Sequence, residues 1–348
     1  MKKFFSLLLA FATVLALALP ASAAMAQPSG TEKIVEVDGY TFTITEMEDS
    51  NKRIVRSYQN NANVNARTSV DINETKSLLV ALGMQRERVD DLSSATLREF
   101  AEGSEIYVAT AYIKADMNNN VTPLDEATAL REASALKNQQ EAINLNRALG
   151  IAPTADYEDS FKDSYMRVDF AATYKRNGNY LYSVDGEWLT MPFFRGFDSI
   201  GACAMNGTVT NNTRAGNYGY DITYINGGKI TYDSYFGPIT NTNKKNAING
   251  NWYGSAGVIN LPNDVYGDYS SIIYSNFFAH YEYQGHVTSP SEPRWFNAVG
   301  TYDHATISIA FDPSVSIDLN GNVSASVGLS LVGKTDSRSV EFEIYYRP

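Results

Sequence analysis

A chain of 348 residues with a formal charge of −11 repels nucleic acid and anionic lipid surfaces, and no cluster of Lys or Arg interrupts that field. Its one cysteine, Cys203, excludes an intrachain disulfide, so burial of a core must hold the fold together. Set in the small apolar run 200–205, Cys203 reads as a buried core thiol rather than a nucleophile.

Residues 1–26 read as a signal peptide. Lys2 and Lys3 precede an apolar run from Phe4 to Leu19, Pro20 breaks it, and Ala21-Ser22-Ala23 or Ala24-Met25-Ala26 offers a cleavage site. No later stretch is apolar enough to span a bilayer as a helix. The expected location is therefore secreted, extracellular or surface-associated, and a short leader on an acidic, cysteine-poor chain fits bacterial export.

Residues 27–150 predict a small α+β module. Ile34, Val35 and Val37 lead into the turn pair Asp38-Gly39, and Tyr40, Phe42 and Ile44 return in alternation; Asn51 turns the chain again before 53–58. Residues 59–69 form a loop. Leu78, Leu79 and Leu82 then make a helical stripe closed by Gly83, and Ser93 or Ser94 caps a second run that Gly103 ends. Residues 106–114 alternate as one strand. Thr122-Pro123-Leu124-Asp125 is expected to open the longest helix, with an Ala-rich stripe of Leu130, Ala133, Leu136, Ile143 and Leu149 and a stop at Gly150.

Residues 151–164, with Pro153 and several acids, mark the expected boundary. Beyond it, 165–348 predicts an all-β antiparallel sandwich, the jelly roll being one form of it. The strands fall at 166–175, 179–183, 203–209, 218–225, 230–236, 271–283 and from 305 onward. Asn177-Gly178, Asp185-Gly186, Asn206-Gly207, Asn226-Gly227-Gly228 and Asn320-Gly321 supply the turns. The hairpin 306–332 has a lipid-insertable alternation, which admits a pore-forming toxin as a third functional reading.

Aromatic residues carry the leading one. Trp188, Trp252 with Tyr253, Trp295, and Phe194 beside Arg195 sit next to Gly, Pro or Asn, as rings on loops do. A ring flanked by amides suits a sugar, whose C–H face stacks while its hydroxyls bond; a ring plugging the end of a sandwich gives the same sequence. The expectation is an exported, non-catalytic protein binding a glycan or cell-envelope component. The alternative is a hydrolase using paired carboxylates, such as Glu187 with Asp198 or Asp221. No Walker, G-x-S-x-G or C-x-x-C pattern appears, and no catalytic residue is nominated. Asp116-Asn118-Asn120 and Asp318-Asn320-Asn322 open like calcium loops, but Val121, Ala127, Val323 and Leu329 stand where Gly and Glu belong. His280, His286 and His304 lack a ligand spacing, and Gln284-Gly285 is expected to turn the chain between the first two. No metal or cofactor is expected.

Overall fold

The computed structural model describes residues 30–48, 52–60, 71–116, 120–151, 159–192, 195–248, 252–267, 269–287, 294–305, 315–316, 328–329 and 335–346. Of Glu48, 241–248, Trp252, 294–296, 305 and the later residues it gives the backbone alone. The expected signal peptide, the loop 61–69, the Asn51 turn and the Asn320-Gly321 turn lie outside the described residues. The chain divides into units Met1–Thr31 and Glu32–Pro348, and the second carries the fold described here.

Antiparallel β-structure dominates. A meander of β1 (Thr31–Val37), β2 (Tyr40–Glu48) and β3 (Ile54–Gln59) opens it, and Asp38 (φ 52°) with Gly39 (φ 82°) makes the expected turn. Helices α1 (Ile72–Ala81), α2 (Arg86–Asp91) and α3 (Ser94–Ala101) follow. Asp71 caps the first through the amides of Asn73 and Glu74, and Ser93 caps the third through Thr96. Gly83 (φ 98°) stands just past α1 in the left-handed conformation that ends helices. β4 (Glu105–Asp116) and β5 (Val121–Leu124) come next, then α4 (Glu126–Ala148).

The start of α4 corrects the expectation. Thr122 and Pro123 lie in β5 and pair with Lys114 and Ile113, while Asp125 is the cap, accepting from the Thr128 amide. A proline sits without penalty here because β5 pairs only with β4, so its missing N–H faces no partner. Of the expected stripe, Ala133 and Ile143 are buried and Leu130 and Leu149 are exposed.

The remaining strands are β6 (Asp163–Arg176), β7 (Asn179–Trp188), β8 (Phe197–Met205), β9 (Gly207–Val209), β10 (Ala215–Asn226), β11 (Lys229–Pro238), β12 (Asn241–Ile248), β13 (Trp252–Asn260), β14 (Val265–Tyr266), β15 (Ser270–Val287), β16 (Arg294–Ala305), β17 (Val315–Ser316), β18 (Gly328–Leu329) and β19 (Thr335–Tyr346). A twelve-stranded sheet runs β1-β2-β3-β4-β6-β7-β15-β10-β11, with β5, β9 and β14 attached beside it; a five-stranded sheet runs β12-β13-β8-β16-β19. β4 pairs with β6 from Glu105–Tyr174 to Asp116–Asp163, so the large sheet continues across the expected boundary at 151–164. Val315 of β17 pairs antiparallel with Leu329 of β18.

The central strands are covered on both faces. Ile106 and Val108 of β4, Ala171 of β6 and Leu181 of β7 pack with Leu79, Leu82, Leu97 and Phe100 of the helical segment. Their alternates Ala109, Ala111, Phe170, Tyr182 and Val184 join Ile200, Ala202, Ile259 and Tyr302 of the second sheet in the other core. Cys203 is buried, as expected.

Two turns expected from dipeptides are straight strand instead. Asp185-Gly186 lies inside β7, paired with Asp169 and Val168, and Gln284-Gly285 lies inside β15, paired with Leu181 and Tyr180. Gly186 is there for room. A Cβ on it would meet Tyr302 at 2.5 Å, and a Cβ on Gly300 of β16 would meet Phe170 at 2.7 Å. These glycines let the two sheets approach. Gly300→Ala is expected to cost about 1–3 kcal/mol, read as a lower urea midpoint at unchanged slope.

Candidate functional site

A broad concavity lies between α4 and the β10–β11 hairpin. It holds about 660 Å³, a volume typical of small-ligand sites. The hairpin follows from Asn226-Gly227-Gly228. Both glycines have positive φ (56° and 82°), as a tight two-residue turn requires, and β10 and β11 then pair at ten successive positions. β11 ends the sheet, and every residue of it except Gly237 is exposed.

Rings are concentrated on this hairpin. Tyr220 stacks on Tyr235 with centroids 4.9 Å apart, and Tyr218, Tyr274 and Phe277 extend the array. Burial first, and then the Tyr235 hydroxyl, push the Tyr218 phenol up to about 12, so it stays neutral. Tyr232, in the cleft lining, is 79% exposed, and Phe236, whose ring meets Phe278, is 55% exposed.

The cleft also has a polar element set by a backbone irregularity. Against β10, β15 shifts register between Gly219 and Asp221, and Asn276 takes φ 53°. Its side chain donates to Asp221 Oδ2 at 2.6 Å and accepts from Lys137 Nζ at 2.7 Å, joining β15, β10 and α4. Glu141, Ser234 and Asp233 are also part of the polar lining. Such a site offers rings, amides and carboxylates that hydrogen-bond a ligand.

The residues nominated from sequence fall in several places. Trp188 is 3% exposed at the base of this cleft; its indole N–H donates to the Tyr302 hydroxyl at 3.2 Å, and its ring meets His304 edge-on. It is in β7, opposite Met166, and not in a loop. Arg195 is buried and clamps Asp264 with both terminal nitrogens, at 2.6 and 3.0 Å, its guanidinium over Phe277. Tyr253 is half-buried in β13 opposite Ala204. Trp252 is in β13 and Trp295 in β16, opposite Met205 and Tyr345; their side chains and all of Phe194 lie outside the described residues.

Nor do the nominated carboxylates form an open pair. Asp198 is fully buried in the second sheet, accepting from the Tyr302 hydroxyl at 2.6 Å and bonded to His304 Nδ1 at 2.8 Å. Glu187 is enclosed under the helical segment, where burial raises its pKa. Asp221 lines the cleft. Asp116 accepts from the amide and side chain of Asn120, an arrangement that closes the β4–β5 turn. Among the described residues, no three His, Cys, Asp or Glu side chains are placed to hold a metal ion, and no helix is long and apolar enough to cross a membrane.

A second polar constellation was not anticipated. Thr110, Asp169, Asp185, His280 and Asn217 lie side by side across five strands, beneath the helical segment. Arg167 bonds Asp169 at 2.9 Å and the Gly83 carbonyl, and Thr110 donates to Asp169 at 2.6 Å. His280 bonds Asp185 at 2.9 Å and Glu282 at 3.3 Å, and the Thr96 hydroxyl of α3 reaches Glu282 at 2.9 Å. Burial pulls the His280 pKa down, but the charge and hydrogen bond of Asp185, helped by Glu282, bring it up to about 10; the imidazole is a cation at neutral pH. Burial raises the pKa of Asp169 against the pull of Arg167. This row fastens helices to sheet.

No family model matches the chain, and no curated protein matches it. Among solved structures it is similar to one described as a pore forming protein, at 10% identity and a TM-score of 0.19, covering 53% of this chain and 90% of that one. It is also similar to the C-terminal domain of the Streptococcus pyogenes antigen I/II-family protein AspA, at 9% identity and a TM-score of 0.20, covering 90% of this chain and 98% of that one.

Proposed function

We propose that the chain is an exported, non-catalytic binding protein that meets a glycan or cell-envelope component through the β10–β11 hairpin and the cleft beside it. The observation that carries this reading is Tyr232, exposed at a cleft of about 660 Å³ whose lining includes Asp221, Asn276, Ser234 and Glu141. A sugar ring needs one apolar face to stack on and polar partners around its rim, and this arrangement supplies both. Trp252, Trp295 and Phe194 remain candidates for further ring contacts. The two sheets, sharing one buried cluster, are taken as a β-sandwich, with the jelly roll as its finer form.

A glycan array followed by calorimetric titration tests the proposal. Tyr232→Ala is expected to weaken binding by about five- to tenfold, the value of one stacked ring, with the melting temperature unchanged because the ring is exposed. An array with no bound glycan ends this reading.

A further inference from the structure

Among the described residues, no strand pairs with the outer edge of β11. Asn226 and Lys229 flank the two-glycine turn and close the hairpin as a hydrogen-bonded pair, so alternate residues from there turn their backbone groups away from β10. By that count Ile230, Tyr232, Ser234 and Phe236 present outward amides and carbonyls. The Ser234 amide agrees: it donates at 2.8 Å to Oδ1 of its neighbour Asp233. Pro238, the next such position, has no N–H and ends the edge.

β11 is last in the strand order and shows no register shift against β10. Sheets ordinarily blunt a long edge with bulges, prolines or charges aimed along it. Within this one the carboxylate of Asp233 alone plays that part, and the outward positions bear Ile230, Tyr232 and Phe236.

We propose that β11 is a docking edge for an extended basic segment of a partner protein, which adds as a further strand and takes the Ser234 amide from Asp233. Charge selects this occupant. Asp233 sits in the middle of the edge, and Asp221 and Glu141 line the adjoining cleft, against Lys137, held by Asn276, and Lys229 at the turn. A second copy of the chain would bring its own charge of −11 and its own Asp233 to the same edge, and like charges across strands repel. A strand bearing Lys or Arg is drawn in. The inference goes beyond the glycan reading because it uses backbone groups rather than ring faces.

The test titrates the full chain, by fluorescence anisotropy, with a short labelled peptide alternating Lys and Val and with its Glu and Val counterpart. The basic peptide is expected to bind at least about tenfold more tightly than the acidic one, and Asp233→Asn to narrow that gap. Ser234→Pro removes an outward N–H that β10 does not use, so it should weaken the basic peptide about tenfold at unchanged melting temperature. Should that variant melt lower, amide exchange in the unaltered chain decides instead: the peptide must protect Ile230, Tyr232 and Phe236. No binding, equal affinity for both peptides, unprotected amides, or Ser234→Pro binding like the parent overturns the proposal. So does a concentration-dependent dimer abolished by Ser234→Pro, which would assign the edge to a second copy.

Discussion

Arg167→Ala is expected to be among the most destabilising single changes in the molecule, at about 3–5 kcal/mol. The guanidinium holds Asp169 through hydrogen bonds of 2.9–3.2 Å and bonds the Gly83 carbonyl just past α1. Removing it leaves Asp169, itself only 4% exposed, with the single hydroxyl of Thr110 as partner. An ionised carboxylate stranded beneath helices is far costlier than the pair is favourable, because the desolvation cost survives while the attraction is lost. The carbonyl that ends α1 loses its donor in the same step. The measurement is the urea midpoint, which should fall at unchanged slope. Arg167→Met combined with Asp169→Leu removes both charges and should recover most of the loss. A single variant as stable as the parent would show that the row across the sheet does not fasten the helices.

Much of the scaffold is local in origin, and those parts were legible. Asp38-Gly39, Asn177-Gly178 and Asn226-Gly227-Gly228 turn the chain because their residues tolerate positive φ, and Gly83 and Ser93 bound helices by equally local chemistry. Where a local signal met a distant neighbour, the neighbour won. Asp185-Gly186 has the composition of a turn, yet Tyr302, more than a hundred residues away, occupies the space a side chain at 186 would need. Trp188 follows a glycine and a glutamate and so resembles a loop ring, but register with Met166 buries it.

The charged row was hidden for a related reason. Arg167, Asp169, Asp185 and Glu187 alternate with apolar residues, the pattern of a strand with one wet face. What covers that face is residues 72–101, folded back across the sheet, and no feature within β6 or β7 announces them. The hairpin rings were legible as residues of a strand but not as an exposed group, because exposure depends on β11 being last in the sheet. A strand in the middle of the sheet could carry the same alternation.

His280 gives the row a pH dependence whose sign can be derived. Its pKa is about 10 in the folded chain, against about 6.5 for an unhindered imidazole, so the folded state holds the proton more tightly than the unfolded one. The stabilisation is therefore complete below about pH 6.5 and is lost as pH rises through 10, with a slope approaching 1.4 kcal/mol per pH unit between. Losing that proton leaves Asp185 and Glu282 facing an uncharged ring, with Asp169 and Glu187 close by and Arg167 and Arg88 the remaining cations around the row. The buried tyrosines Tyr182 and Tyr283 do not confound the window. Burial raises their pKa well above 10, so their effect on stability begins only beyond the unfolded phenol value. Urea unfolding at steps from pH 7 to 9.5 should show stability falling steadily in the parent. His280→Gln should be less stable than the parent at pH 7 and nearly flat across the same range. A parent whose stability holds level to pH 9.5 would mean that the imidazole is neutral in the fold, and that Asp185 and Glu282 are held without its charge.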